Sequence, residues 1–238
     1  MANNPENQTP KLVKRILCLA NSRKLSGRCI AGREIVDDRA GAWIRPVSER
    51  EHQEVSEQER QYLDGSDPQV LHVINMPLAE HRPHFFQQEN WLLDPRSHWE
   101  KAGVYDWVRL QGFLEPSGPL WVIQDSSYNG INDRIALPLA NQLRSSLRLI
   151  RVQSLDIKVF CPGAAFGNPQ RRVQGQFNHE NVNYWLWVTD PVYERRFLAQ
   201  PDGVYGIGEA CLTISLGEPH EGFGYKLIAA IIERKENV

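Results

Sequence analysis

Trp43 and Arg45 lie two residues apart in the stretch Gly41-Ala42-Trp43-Ile44-Arg45-Pro46. On an extended chain they share one face, and Ile44 points the other way. An indole beside a guanidinium on a β surface is what base stacking combined with phosphate contact needs. The exterior of an ordinary barrel carries the same pair. Further cations precede it at Arg23, Lys24 and Arg28, and a second set lies far along the chain at Arg171, Arg172, Trp185 and Trp187. In this reading arginine supplies forks for phosphates or base edges, and tryptophan supplies the stacking face. Trp185 and Trp187 also suit a core, or an interface between two domains.

A second chemistry would be catalytic. Asp133 could serve as a base and Arg134 as a phosphate clamp, with His179 and Asp190 at other turns. A structural ion pair between Asp133 and Arg134 accounts for the same two residues. There is no Walker A loop, dinucleotide fingerprint, zinc-ligand pair or Gly-x-Ser-x-Gly elbow. The glycine-rich stretch Gly203–Gly208 follows no clear strand and reads as a flexible loop rather than a phosphate cradle. His81 and His84 are three apart, but Pro83 between them disfavours a helix and no third ligand is near, so no metal is expected. Cys18, Cys29, Cys161 and Cys211 show no metal-ligand spacing; Cys18, Cys29 and Cys211 sit in apolar strands as small hydrophobes. Neither a disulfide framework nor a cofactor is expected, and a binding module is the stronger reading than an enzyme.

Charge bounds the partner. A net charge of −2 argues against strong, indiscriminate duplex binding. Its distribution is uneven: residues 11–50 carry ten Lys/Arg against four Asp/Glu, residues 51–100 three against ten, and residues 141–200 eight against four. If the two basic stretches share a face, a groove for nucleic acid follows; if neighbouring opposite charges pair, no net field results. The acidic 51–100 segment could instead hold a protein partner. No apolar run approaches the roughly 18 residues of a membrane helix. The polar opening MANNPENQTP reads as a disordered tail without a signal peptide, so a cytoplasmic protein is expected.

The elements that must position these groups are mostly strands. Residues 14–20 alternate as a strand buried on both sides, with Ile16, Cys18 and Ala20 on one face and Leu17 and Leu19 on the other. Asn21 and Ser22 are read as turn formers, residues 28–35 and 42–47 as strands, and Asp37 to Gly41 as a hairpin loop with positive φ at Gly41. Ser48 with Glu51 predicts a capping box opening a helix over 49–63. Residues 70–78 predict a fourth strand, residues 81–104 an aromatic lid or connector, residues 105–114 a short helix, residues 121–123 a short strand, and residues 136–147 another short helix. The strand pattern restarts at Leu147, giving a long strand over 147–160, a hairpin over 172–177 and 182–189, a helix over 193–198, and strands over 210–216 and 225–232. The last is apolar on both faces apart from Lys226, which places it centrally. The second half thus repeats the first as a small barrel.

A resemblance then joins these pieces. Asn21-Ser22-Arg23-Lys24, Gly27 to Gly32 and Gly41 to Ser48 resemble the opening of the dual OB-fold-containing domain family of bacteria. Trp99-Glu100-Lys101 with Gly103, Asn132-Asp133-Arg134, Val188 to Pro191, Ser215 to Glu218 and Tyr225 to Ile232 continue it, so that it covers roughly residues 13–233. The resemblance implies a mainly β fold with short helices: two OB-like small β-barrels in tandem, joined by a helical, aromatic-rich connector. The expected division is a tail over 1–10, a first barrel over 11–93, a connector over 94–146 and a second barrel over 147–238. It implies nucleic-acid recognition, single strands more than duplex, within bacterial conflict or nucleic-acid-modification systems that could supply a protein partner.

Overall fold

The opening alternation runs further than its polar residues suggest. In the computed structural model, which describes residues 12–123 and 125–234, strand β1 spans Leu12–Lys24. Asn21 and Ser22 lie inside it, and the turn falls on Leu25 and Ser26, with Leu25 at φ 48°. Strands β2 (Gly27–Val36) and β3 (Arg39–Val47) are joined by Asp37 and Asp38 alone, at φ 49° and 57°. Two consecutive positive φ angles make a two-residue hairpin turn that matches strand twist. The aspartates therefore take the conformation expected of Gly41, which lies within β3 against Glu34 of the neighbouring strand. The tail read over residues 1–10 lies outside the described residues.

The helix expected over 49–63 shrinks to a single turn, α1 (Glu57–Arg60), capped by Ser56 and Glu59. Ser48 does not cap it; its hydroxyl donates to the Glu54 carbonyl at 2.6 Å. Strands β4 (His72–His81) and β5 (Asn90–Leu93) complete a ring in the order β1-β2-β3-β5-β4, closed by β4 on β1. The β3–β5 pair is parallel and the others antiparallel. Strand β6 (Glu100–Val104) pairs with β4. Sequence reading missed β5 and β6 inside the presumed lid.

The connector holds α2 (Trp107–Leu110), β7 (Arg134–Ala136) and α3 (Leu137–Ala140). Residues 121–123 form no strand, and α3 is far shorter than the helix expected over 136–147. The second ring contains β8 (Leu147–Phe160), β9 (Arg172–His179), β10 (Val182–Val188), β11 (Gly203–Leu216) and β12 (Phe223–Glu233), with α4 (Pro191–Leu198) between its third and fourth strands. Its order is β8-β9-β10-β12-β11, closed by β11 on β8, again with the third and fifth strands parallel. Both rings thus have the same five-strand order with one helix after the third strand, the organisation of an OB barrel. The glycine-rich stretch 203–208 is the start of β11, not a loop.

The second ring closes less completely than the first. Strands β10 and β12 pair only at Trp187–Leu227 and Val188–Ile228. The connector fills the rest of that seam: Ile131 bridges Trp185, and β7 pairs with β12. Lys226, 1% exposed, ties the insert down by donating to the carbonyls of Val122 and Asn132 at 3.0 and 2.8 Å. Burial pushes its pKa down to about 8, an effect that nearby Asp133 only partly offsets.

The two faces of β1 serve different cores. Ile16 and Cys18 point into the first barrel with Ile30, Ile44, Ile74 and Met76. Leu17, Leu19 and Ala20 pack instead with Trp43 on Leu147, Leu149, Cys211 and Ala230 of the second barrel. A register shift between Cys18 and Ala20 turns Ala20 to this side, away from the face its alternation predicted. Burial pushes the Cys18 thiol up to about 12 and the Cys211 thiol to about 11, so both behave as apolar packing groups. Between the barrels, Arg23 N donates to Thr189 O at 2.9 Å, and Thr213 Oγ1 to Leu19 O at 2.6 Å. No helix among the described residues is long and apolar enough to cross a membrane.

Candidate nucleic-acid interface

Most of the first-half candidates are engaged inside the protein. Trp43 is only 7% exposed, and its Nε1 donates to Glu115 Oε1 at 2.8 Å. Arg45 is 3% exposed; its Nη2 lies 3.2 Å from Glu89 Oε1 and donates to the hydroxyls of Ser146 and Ser215 at 2.9 and 3.3 Å. The outer face of β3, where both were expected to meet a strand of nucleic acid, is covered by the second barrel and the connector. Trp43 is not placed to touch a ligand there, whereas Arg45 lines a cavity of about 400 Å³ together with Arg23 and Lys24. Arg23 forks onto Glu194 with two contacts of 3.0 Å, and Lys24 pairs with Glu218 at 2.6 Å. Both pairs bridge the barrels. Arg28 has no ion pair among the described residues; burial first, then Arg60, lowers its pKa.

The second-half candidates lie differently. Along β10, Tyr184, Leu186 and Val188 point into the barrel, so Trp185 and Trp187 point outward. They belong neither to the core nor to the interface between barrels. Register sets Lys158, Gln174 and Trp187 in one row across β8, β9 and β10, and Asp156, Gln176 and Trp185 in the next. Phe160 stands opposite Arg172. The Phe160 and Trp187 rings stack with centroids 5.8 Å apart at 20°. The Arg172 guanidinium lies 3.9 Å from the centre of the Trp187 ring, and Lys158 Nζ lies 4.4 Å from Phe160 and 5.8 Å from Trp185. Among the described residues, neither Lys158 nor Arg172 has a carboxylate within 4.0 Å. Burial, and then the approach of Arg23, lowers the Arg172 pKa, yet a guanidinium keeps its charge at any physiological pH. Arg171 is not part of this group: it is held by Asp202 at 2.6 Å and by the carbonyls of Leu198 and Gln200.

Phe160 and Lys158 escaped sequence reading as site residues. Their signal was present: they occupy alternate positions of a strand whose inward set, Leu155, Ile157 and Val159, is wholly apolar. The beginning of a ladder of this kind, outward-pointing rings with cations above them, can be read from such alternation. What it does chemically is stack flat π systems and attract anions.

Asp133 and Arg134 do not form the pair that either reading assumed. Asp133, 2% exposed, accepts from Ser127 N at 2.7 Å and from Ser127 Oγ at 2.5 Å. A Cβ on Gly130 would meet it at 2.0 Å, so only glycine fits there. Arg134 pairs with Asp125 at 3.1 Å and lies over Phe223. Asp190 caps α4 through Val192 N and Tyr193 N and also accepts from Ile231 N; burial nevertheless raises its pKa. His179 lies 3.0 Å from the Gly118 carbonyl. These groups fix loops and a helix end, and no two of them converge on a cavity. No cluster of three metal-ligating side chains occurs among the described residues.

Neither a curated protein nor a solved structure gives a match to this chain. The profile of one family, described as the Dual OB-containing domain, matches residues 14–231. That span includes every strand of both five-stranded rings almost from end to end. By that match and by its twice-repeated strand order, the chain belongs to the dual OB-containing domain family.

Proposed function

We propose that this protein binds single-stranded nucleic acid on the outer face of β8, β9 and β10. The observation that carries this reading is the stacked Phe160–Trp187 pair on the partly exposed outer face of the sheet, with Arg172 and Lys158 beside it and free of carboxylates. Single strands bind to such faces by stacking bases on aromatic rings while cations follow the backbone. The second-to-third strand face is also where OB barrels take oligonucleotides. Duplex is the poorer ligand: its bases are already stacked, and two free cations give few of the phosphate contacts that duplex affinity depends on. Binding of this kind suits the bacterial conflict or nucleic-acid-modification systems implied by the family resemblance.

The test is a titration over a salt series against single-stranded DNA, single-stranded RNA and both duplexes. Affinity for one or both single strands, falling as salt rises and exceeding that for duplex, is the expected result. Absence of salt-dependent binding to every one of the four overturns the proposal.

A further inference from the structure

The aromatic ladder does not end at Trp187. It opens into a cavity of about 360 Å³, walled on one side by the loop that joins β8 to β9 and on the other by residues 127–129 of the connector. That volume lies at the small end of the range that ligand pockets occupy. Trp187 and Arg172 line its inner end. Each wall contributes a large exposed ring: Phe166 is 79% and Tyr128 87% exposed. Asn129 and Gln170 also line it, and the side-chain amide of neither has a hydrogen-bond partner within the described protein.

Both walls are held in place. In the β8–β9 loop, Asn168 N donates to Gly163 O at 3.0 Å, and a Cβ on Gly163 would come within 2.8 Å of the Asn168 side chain. Gly167 takes φ 74°, which ends the short turn carrying Phe166. The connector wall is anchored at two points: Asp133 holds Ser127, and Gln174 Nε2 donates to the Asn129 carbonyl at 2.6 Å. Asp133, sealed from solvent, is thus a positioning residue for this wall.

We propose that this cavity takes one nucleobase out of the bound strand and holds it by its face and edge. The inference rests on the single-strand reading above and names what that strand must present. Bases stacked along Phe160 and Trp187 are held without regard to identity, because every base has a π face. A base entering the cavity meets something different: rings from Trp187, Phe166 and Tyr128 for its faces, and two uncommitted amides for its edge. An amide offers one donor and one acceptor side by side, and the free Watson–Crick edge of every unpaired base presents a matching acceptor and donor.

The experiment compares five nine-nucleotide single strands that differ only at the central position: adenine, guanine, cytosine, thymine or an abasic sugar, in a thymine background. Each of the four base-bearing strands is expected to bind at least roughly ten-fold tighter than the abasic one, from ring contact and a bidentate amide contact together. In the double variant Asn129→Ala/Gln170→Ala that advantage should fall several-fold, with affinity for the abasic strand, salt dependence and melting temperature unchanged. Equal affinity for all five strands, with salt dependence intact, overturns the base pocket and leaves the single-strand reading standing. An advantage over the abasic strand that survives the double variant undiminished also overturns it. Loss of binding to every strand overturns both.

Discussion

Each barrel carries an arginine over a tryptophan on its second and third strands, and the two pairs have opposite fates. In the first barrel Arg33 faces Trp43 across the β2–β3 ladder, 5.4 Å from its ring. In the second, Arg172 lies 3.9 Å from the Trp187 ring. Glu115 of the connector accepts from both Arg33 Nη1, at 2.7 Å, and Trp43 Nε1, at 2.8 Å. The first pair therefore has an anion built into the chain and a barrel packed over it. The second has neither. The same residue types hold a molecule together where their charges are answered internally, and are available for recognition where they are not.

The largest effect should come from breaking the answered side. Arg45 pairs with Glu89 at the same interface, and each side chain is 3% exposed. Removing one partner leaves a buried charge uncompensated, at a cost of about 3–5 kcal/mol. Arg45→Ala should lower the melting temperature of the protein by about 10 °C on that account, with affinity for single strands unchanged well below the transition. Weakened binding with an unchanged melting curve would break the comparison, since it would place Arg45 among the recognition residues.

The seams of the two barrels give the next contrast. The first barrel closes its third and fifth strands over three residue pairs, the second over two, and Lys226 secures the insert that fills the difference. Its pKa falls from the usual 10.5 to about 8 in the folded chain. Between those values the unfolded chain holds the proton and the folded chain does not, so stability rises with pH across that window, by at most about 3 kcal/mol. Below about pH 8 both states are protonated and the dependence stops. The rise should appear as a difference between the native protein and Lys226→Met in denaturant titrations between pH 8 and 10, because the buried Cys18 and Cys211 thiols, whose ordinary pKa lies near 9, lower the stability of both proteins alike over that range. Parallel profiles in the two proteins would remove Lys226 from this role.

Much of the fold was legible because strand alternation is local. β8 was read at its actual bounds, since Leu155, Ile157 and Val159 mark the inward face without help from distant residues. β5 was not, because its four residues become a strand only by lying between β4 and β3, the latter some 45 positions earlier in the chain. The site divides on the same ground. Sequence places Trp43 and Trp187 alike, each in an alternating strand with arginine nearby. Which of them is covered depends on how two barrels meet, through Leu17, Leu19, Leu147 and Leu149, and no local pattern states it. The pairing of charges is equally nonlocal: Arg23 finds Glu194 and Lys24 finds Glu218 across the junction.

On the open side, Trp187→Ala should weaken single-strand binding by about 1–3 kcal/mol, the value of one stacked base. The ring is outside the core, so the thermal transition should move far less than in Trp43→Ala, where losing a buried aromatic costs about 3–5 kcal/mol. Equilibrium binding and thermal melts on both variants check the two halves together. If Trp43→Ala loses affinity and Trp187→Ala loses only stability, the assignment of faces is reversed.

The smallest effect is also the most selective, because it counts charges rather than contacts. Each phosphate neutralised on a single strand contributes about −0.7 to the slope of log K against log salt. Lys158 and Arg172 together should give a slope near −1.4, and Lys158→Gln or Arg172→Gln should each lower its magnitude by about 0.7. Lys14 and Lys24 carry the same charge but face Glu34 and Glu218 at 2.9 and 2.6 Å. An ammonium already neutralised by a carboxylate releases no counterion when a phosphate passes, so Lys14→Gln and Lys24→Gln should leave the slope where it was. Four lysine and arginine variants measured over one salt series therefore sort the cations by whether the protein has answered them. Equal losses from all four would mean that net charge, and not the open face, controls binding.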